Sequence, residues 1–213
     1  MEARKSGPGT RGRPPRPARA SRLRGDSGAA LVEAAFVTPI FMVLVFGIVE
    51  FGGAFRDHLT LGNTTSVAAR AAAIAGDDPN ADYQVLQAIK KGSSAIPANQ
   101  ITRIVIFRAT GPTTPVPAAC LAGIASVADA CNVYTSSDFT RPEAQFGCGP
   151  SAPDRYWCPT SRKTAAKATN GNGPPDYVGI YVIAKHPFVT GLFGSTINLS
   201  SKTITRLEPA TLT

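Results

Sequence analysis

Residues that carry chemistry are scarce in this chain. Its 213 residues include two histidines, His58 and His186, which is poor material for general base work. Neither lies near a pair of cysteines and no CxxC occurs, which argues against a zinc site. GxSxG, HExxH and GxxxxGKS or GxxxxGKT are all missing, and the one GxGxxG string, Gly7 to Gly12, stands in the proline- and arginine-rich leader with no β-branched stretch before it, so the common hydrolase, metalloprotease and nucleotide-binding signatures find no support. The chain has no twin arginine, no lipobox cysteine and no internal repeat, and no small-residue cleavage signal closes its apolar run. Charge is the most unevenly distributed shortage. From Ala29 to Val49 there are 21 residues, and Glu33 is the single charge among them.

What charge there is gathers at the start. The formal balance is +8, and residues 1–28 carry eight basic residues against Glu2 and Asp26, a net +6. The remaining +2 gives the rest of the chain no basic surface for nucleic acid. With Gly7, Gly9, Pro14, Pro15 and Pro17 and little to bury, the leader reads as disordered. An arginine-rich arm directly before an apolar helix predicts a cytoplasmic N-terminus and an exported C-terminal side.

The 21-residue run covers about 30 Å as a helix, the thickness of a bilayer core. It exceeds the apolar core of a secretory signal peptide, which predicts an uncleaved single-pass anchor or a leader cut ahead of the helix. A carboxylate in such a segment costs roughly 2.5–3.5 kcal/mol on insertion scales, so Glu33 calls for a reason. Snorkelling to the cytoplasmic interface is the plain one. Pro39 and the Gly52-Gly53 pair are the expected places for a bend, and Gly47, Gly52 and Gly53 would allow close helix packing. Glu50 reads as a solvated residue at the end of the span, and Arg70 as a surface charge. Helical sequence continues to Ala75, with Val67, Ala71 and Ile74 as its apolar stripe, until Gly76-Asp77-Asp78-Pro79 stops it.

Beyond the helix, residues 82–91 predict a short helix with Tyr83, Leu86 and Ile89 on one side, and residues 101–108, 177–184 and 197–207 predict three strands. Residues 109–176 are punctuated by proline and glycine and hold Cys120, Cys131, Cys148 and Cys158, so they read as a stapled loop insert too broken for sheet. In an exported region four cysteines suggest two disulfides. Three pairings are open, and Cys120–Cys131 with Cys148–Cys158 is the most local. Trp157 and Tyr156 read as packing against the disulfide rather than as a contact patch. His186, before Pro187, reads as a strand end. The expected fold is α+β: a long N-terminal transmembrane helix extending into a small antiparallel sheet head, with its Ala-rich half as the lid. Its expected parts are a leader (1–28), a transmembrane helix (29–55), extracytoplasmic helices and first strand (56–108), the insert (109–176) and the C-terminal strands (177–213).

The string Gly28-Ala29-Ala30-Leu31-Val32-Glu33 resembles the processing site of type IV pilin-like precursors. The wider pattern is similar to the TadE-like family of minor pseudopilins of tight-adherence (Flp) pili. It runs through Val32-Glu33-Ala34-Ala35-Phe36-Val37 and Pro39, then Gly47-Ile48-Val49-Glu50-Phe51-Gly52, with a Pro-Phe-x-x-Gly-Leu bend at 187–192. The resemblance implies cleavage after Gly28 by a prepilin peptidase, leaving Ala29 as the new N-terminus with Glu33 at its fifth position. A helix places residues i and i+4 on one face, so the freed ammonium of Ala29 and the Glu33 carboxylate would pair within or between chains. It further implies a non-enzymatic protein of the bacterial cell membrane without cofactor or metal. Its partners would be the peptidase, the major pilin, other minor pseudopilins, the assembly platform and membrane lipid, and not nucleic acid. The insert departs from the short family pattern. The alternative is an uncleaved, membrane-anchored extracytoplasmic binding domain; an anchored secreted enzyme would need a polar pocket for which the sequence offers no motif.

Overall fold

The computed structural model describes residues 26–123, 125–168 and 173–208. The basic leader up to residue 25 and most of the Asn170–Gly173 turn lie outside these. Helix α1 runs unbroken from Asp26 to Ala75, through Pro39 and the Gly52-Gly53 pair. It ends where Gly76 takes a left-handed φ of 56° and donates to Ala72 O at 3.0 Å, a conformation glycine adopts without steric cost. By its contacts the chain divides between Val45 and Phe46.

From Phe46 onward α1 is followed by α2 (Ala81–Gly92), β1 (Ile101–Ala109), β2 (Cys131–Tyr134), β3 (Tyr177–Pro187) and β4 (Thr196–Arg206). Helix α2 has Asp82 in its first turn and Lys90 and Lys91 in its last, the arrangement that suits the helix dipole. The sheet is antiparallel in the order β2-β1-β3-β4. It therefore has four strands among the described residues, where the sequence predicts three. The extra strand, β2, lies inside the insert and pairs Ile104–Phe107 of β1 with Cys131–Tyr134. Four residues are too short to show alternation, and this strand is held from outside itself. Cys131 is bonded to Cys120, and the Asn132 side chain bonds to Asp82 and to the Trp157 backbone.

The main core lies where α1 and α2 cover the sheet. Leu61, Ala68, Ala69 and Ala72 meet Val85, Leu86, Ile89, Ile104, Ile106, Val178, Ile180 and Val182. This corrects the expected stripe on α1: Val67 and Ile74 are 50% and 73% exposed, and the buried face is built mainly from alanines. Small side chains let the helix approach the sheet closely, and the bulky residues are turned out. On the opposite face of the sheet, Val105, Phe107 and Ala109 pack with Cys120 and Cys131.

The β3–β4 hairpin is matched to α1 in length. Its strands pair along all 11 residues, from Tyr177↔Arg206 to Pro187↔Thr196. At about 3.3 Å per residue they span about 36 Å. The chain meets α1 near one end of the hairpin, where Glu208 N donates to Ala73 O at 3.2 Å, and near the other at Glu50, described below. From Glu50 to Ala73 the helix covers about 35 Å.

Candidate functional site

The residues of the proposed processing site sit at the beginning of α1. Gly28, Ala29 and Glu33 are all exposed, and no atom would lie within 4 Å of a Cβ added at Gly28. Gly28 is the third described residue of α1. Ala29 and Glu33 share a helix face by their spacing, and Pro39 follows in the same helix. Leu31, Phe36, Ile40 and Leu44 are exposed, and no residue of the most apolar stretch is buried. The helix is long and apolar enough to cross a membrane, which fits an anchor.

Nearer the head the helix turns polar on one face. Glu50, Ala54, Asp57 and Leu61 recur at helical spacing and are all buried. Glu50 is not the solvated end-of-span residue that its position predicts. Its carboxylate accepts from Val189 N at 2.9 Å, from Thr190 N, and from the Thr190 hydroxyl at 2.8 Å. Two turns on, Asp57 Oδ2 lies 2.7 Å from His186 Nδ1, while its Oδ1 accepts from Arg56 Nη2 at 3.1 Å. Phe51 packs on Phe188 and Phe193. Gly47 faces the Phe193 ring and Gly53 faces His186, whose ring would stand 3.3 Å from a Cβ there. Gly52 has no such neighbour. Two of the three glycines therefore serve close approach by the chain's own hairpin. Acids at Glu50 and Asp57, two turns apart on one face, were the available signal, although their partners lie some 130–140 residues away.

A second polar cluster ties the insert to the helices. Asp82 and Arg162 are fully buried, with Arg162 Nη2 2.6 Å from Asp82 Oδ1. Asp82 Oδ2 accepts from Asn132 Nδ2 at 2.8 Å and from the Tyr134 hydroxyl at 2.7 Å. The guanidinium of Arg162 lies over the Trp157 ring at 4.3 Å and donates to the Trp157 carbonyl at 3.2 Å. Burial pushes the Tyr134 phenol well above its ordinary pKa, and the adjacent Asp82 charge pushes it the same way. Trp157 is thus buried under an arginine, and Tyr156 at the surface accepts from Arg155 Nη2 at 2.7 Å. The sequence reading of α2 missed Asp82 because it followed Tyr83 along the helix. The face that is buried runs Asp82, Val85, Leu86, Ile89.

The disulfides are the local pair, Cys120–Cys131 and Cys148–Cys158. The second closes a loop in which Asp154, fully buried, accepts from the N–H groups of Gly147 and Cys148 at 2.9 and 3.1 Å. Among the described residues, no three His, Cys, Asp or Glu side chains are grouped to hold a metal ion. Arg70 is exposed, and Asp77 pairs with Lys167 at 2.6 Å.

The described residues thus combine a long apolar N-terminal helix, which fits a membrane anchor, with a small disulfide-bonded α+β head on which the C-terminal half of that helix packs. Residues 28–70 match the family described as TadE-like protein, which bears out the resemblance read from the sequence over that stretch. The matched segment starts at Gly28 and includes both the exposed apolar helix and the face that carries Glu50 and Asp57. No curated protein and no solved structure matches the chain.

Proposed function

We propose that this protein is a pseudopilin-like minor component that helps to assemble or prime a tight-adherence (Flp) pilus, and that a prepilin peptidase processes it after Gly28. The observation that carries this reading is the acid five residues after Gly28 in an otherwise uncharged apolar run, at the point where the TadE-like match begins. The family match supports a pilus-associated, structural role over an enzymatic one. In this reading the leader is cytoplasmic, α1 spans the bacterial cell membrane, and the head faces outward. The partners are the peptidase, the major pilin, other minor pseudopilins and the membrane assembly platform.

Cleavage would free an ammonium on Ala29 within a helical turn of Glu33. Each charge offsets the desolvation of the other, so only helices at matching height bury both. Glu33 thereby sets the register of assembly. Until cleavage the arginine-rich leader holds the helix at the cytoplasmic surface. The exposure of Gly28 is consistent with access by a peptidase.

The test is the N-terminal sequence and intact mass of the protein from its native membrane, beside a Gly28→Ala variant. A wild type beginning at Ala29 and a variant that keeps residues 1–28 are expected. If both keep the leader, processing is refuted and the protein is an uncleaved anchored domain whose insert is the place to seek a ligand.

A further inference from the structure

We propose that the tip of the β3–β4 hairpin, Phe188 to Ser195, is a second membrane contact that dips into the outer acyl layer beside α1. The proposal rests on α1 being the membrane anchor, as in the function proposed above.

Three observations carry it. The tip is apolar and displays large side chains: Val189, Leu192 and Phe193 are 88%, 56% and 39% exposed, and no charged residue occurs from Phe188 to Ser195. A solvated loop between long strands has no reason to display such a group of side chains. The tip also lies alongside the apolar segment of α1, and not beyond it. Phe193 faces Gly47, Glu50 takes the backbone of Val189 and Thr190, and Phe51 touches Phe188 and Phe193. At that height of the helix Ile48, Val49 and Phe55 are also exposed, so apolar side chains stand free on α1 as well as on the tip.

The third observation concerns the backbone. Irregular chain in a lipid layer is tolerated only where its polar groups are satisfied by protein. Here the N–H of Phe188 donates to Ser195 O at 3.0 Å and that of Gly194 to Gly191 O at 3.3 Å. The Leu192 N–H reaches the Thr190 hydroxyl at 3.3 Å. The N–H groups of Val189 and Thr190 go to Glu50. This gives a reason for a carboxylate directly after the apolar run: it closes donors that would otherwise face hydrocarbon. The first exposed charges on either element are Arg56 on α1 and Lys185 on β3, placed to reach lipid phosphates from just outside the acyl layer.

The full chain is reconstituted in phosphatidylcholine vesicles carrying a nitroxide on the acyl chain, either close to the head group or near the bilayer centre. Wild type, whose single Trp157 is buried in the head, supplies the background emission. Tryptophan is added at three exposed positions in turn: Leu192→Trp at the tip, Met42→Trp in the apolar run and Thr113→Trp on a head loop. The expected result is a blue-shifted Leu192→Trp emission that the shallow nitroxide extinguishes, with Met42→Trp extinguished by the deep one and Thr113→Trp by neither. If Met42→Trp is quenched while Leu192→Trp behaves like Thr113→Trp and yields to aqueous iodide, the tip proposal is overturned and the anchor stands. A blue-shifted Leu192→Trp emission that ignores the nitroxides and grows with protein density also overturns it, because a protein then covers the tip. Failure to quench Met42→Trp removes the anchor and the proposal together.

Discussion

Replacing Asp82 with alanine should unfold the junction between the insert and the helices. The carboxylate is fully buried and receives Arg162 at 2.6 Å, Tyr134 at 2.7 Å and Asn132 at 2.8 Å. Removing one partner of a buried ion pair costs about 3–5 kcal/mol, because the other charge is left unpaired out of water. Each hydroxyl or amide donor also left without an acceptor adds about 1–3 kcal/mol. Even the low end, about 5 kcal/mol with two such donors, should lower the melting temperature of a head this size by about 10–20 °C. The assay is thermal unfolding of the detergent-solubilised full chain, followed by the near-ultraviolet dichroism of Trp157. That signal reports the site directly, since Arg162 covers the Trp157 ring. Exchanging both members of the pair, Asp82→Leu with Arg162→Leu, should cost less than the sum of the two single changes, because no lone charge remains buried. A loss below about 1 kcal/mol for Asp82→Ala would refute the reasoning and mean that water already satisfies these groups.

Further outcomes follow from other parts of the head. Gly179 pairs with Phe107 across β3 and β1, and a Cβ there would overlap the Phe107 ring; Gly179→Ala should therefore cost about 1–3 kcal/mol in urea unfolding. Cys120→Ser with Cys131→Ser, and separately Cys148→Ser with Cys158→Ser, should each lower stability by about 2.5–3 kcal/mol from lost loop closure, also measured in urea. Tyr134 keeps its proton in the folded state above the pH at which the unfolded chain loses it. Stability should thus be fully present below about pH 10 and fall as pH rises beyond it, and Tyr134→Phe should flatten that fall in an alkaline titration.

What could be read from the sequence was local. An apolar run with one acid five residues after a glycine needs no tertiary contact to be recognised, and neither do the β-branched stretches that became β1, β3 and β4. What escaped depended on distant partners. Strand β2 exists because β1, a disulfide and Asn132 hold four residues straight within proline-rich loops. The apolar stripe on α1 was assigned to the bulkiest residues, whereas close approach to the sheet selected alanine. Glu50 looked solvated because its donors, the N–H groups of residues 189 and 190, reach it only when the chain has folded back beside α1. Arg162, in a stretch of no periodicity, could not be foreseen as the counter-ion of Asp82.

The matched lengths of the hairpin and the outer half of α1 have a mechanical consequence. The two are fixed to each other near both ends, at Glu50 and at Ala73, about 35 Å apart along the helix. No tether with slack separates them, so a push or pull on the helix from Phe46 outward is delivered to the whole sheet at once, as through a strut. Sliding by a single turn, about 5.4 Å, would break both fixings together. The position of the sheet along the helix from Phe46 to Ala75 is therefore fixed by the fold at both ends, and a shift needs both fixings to break.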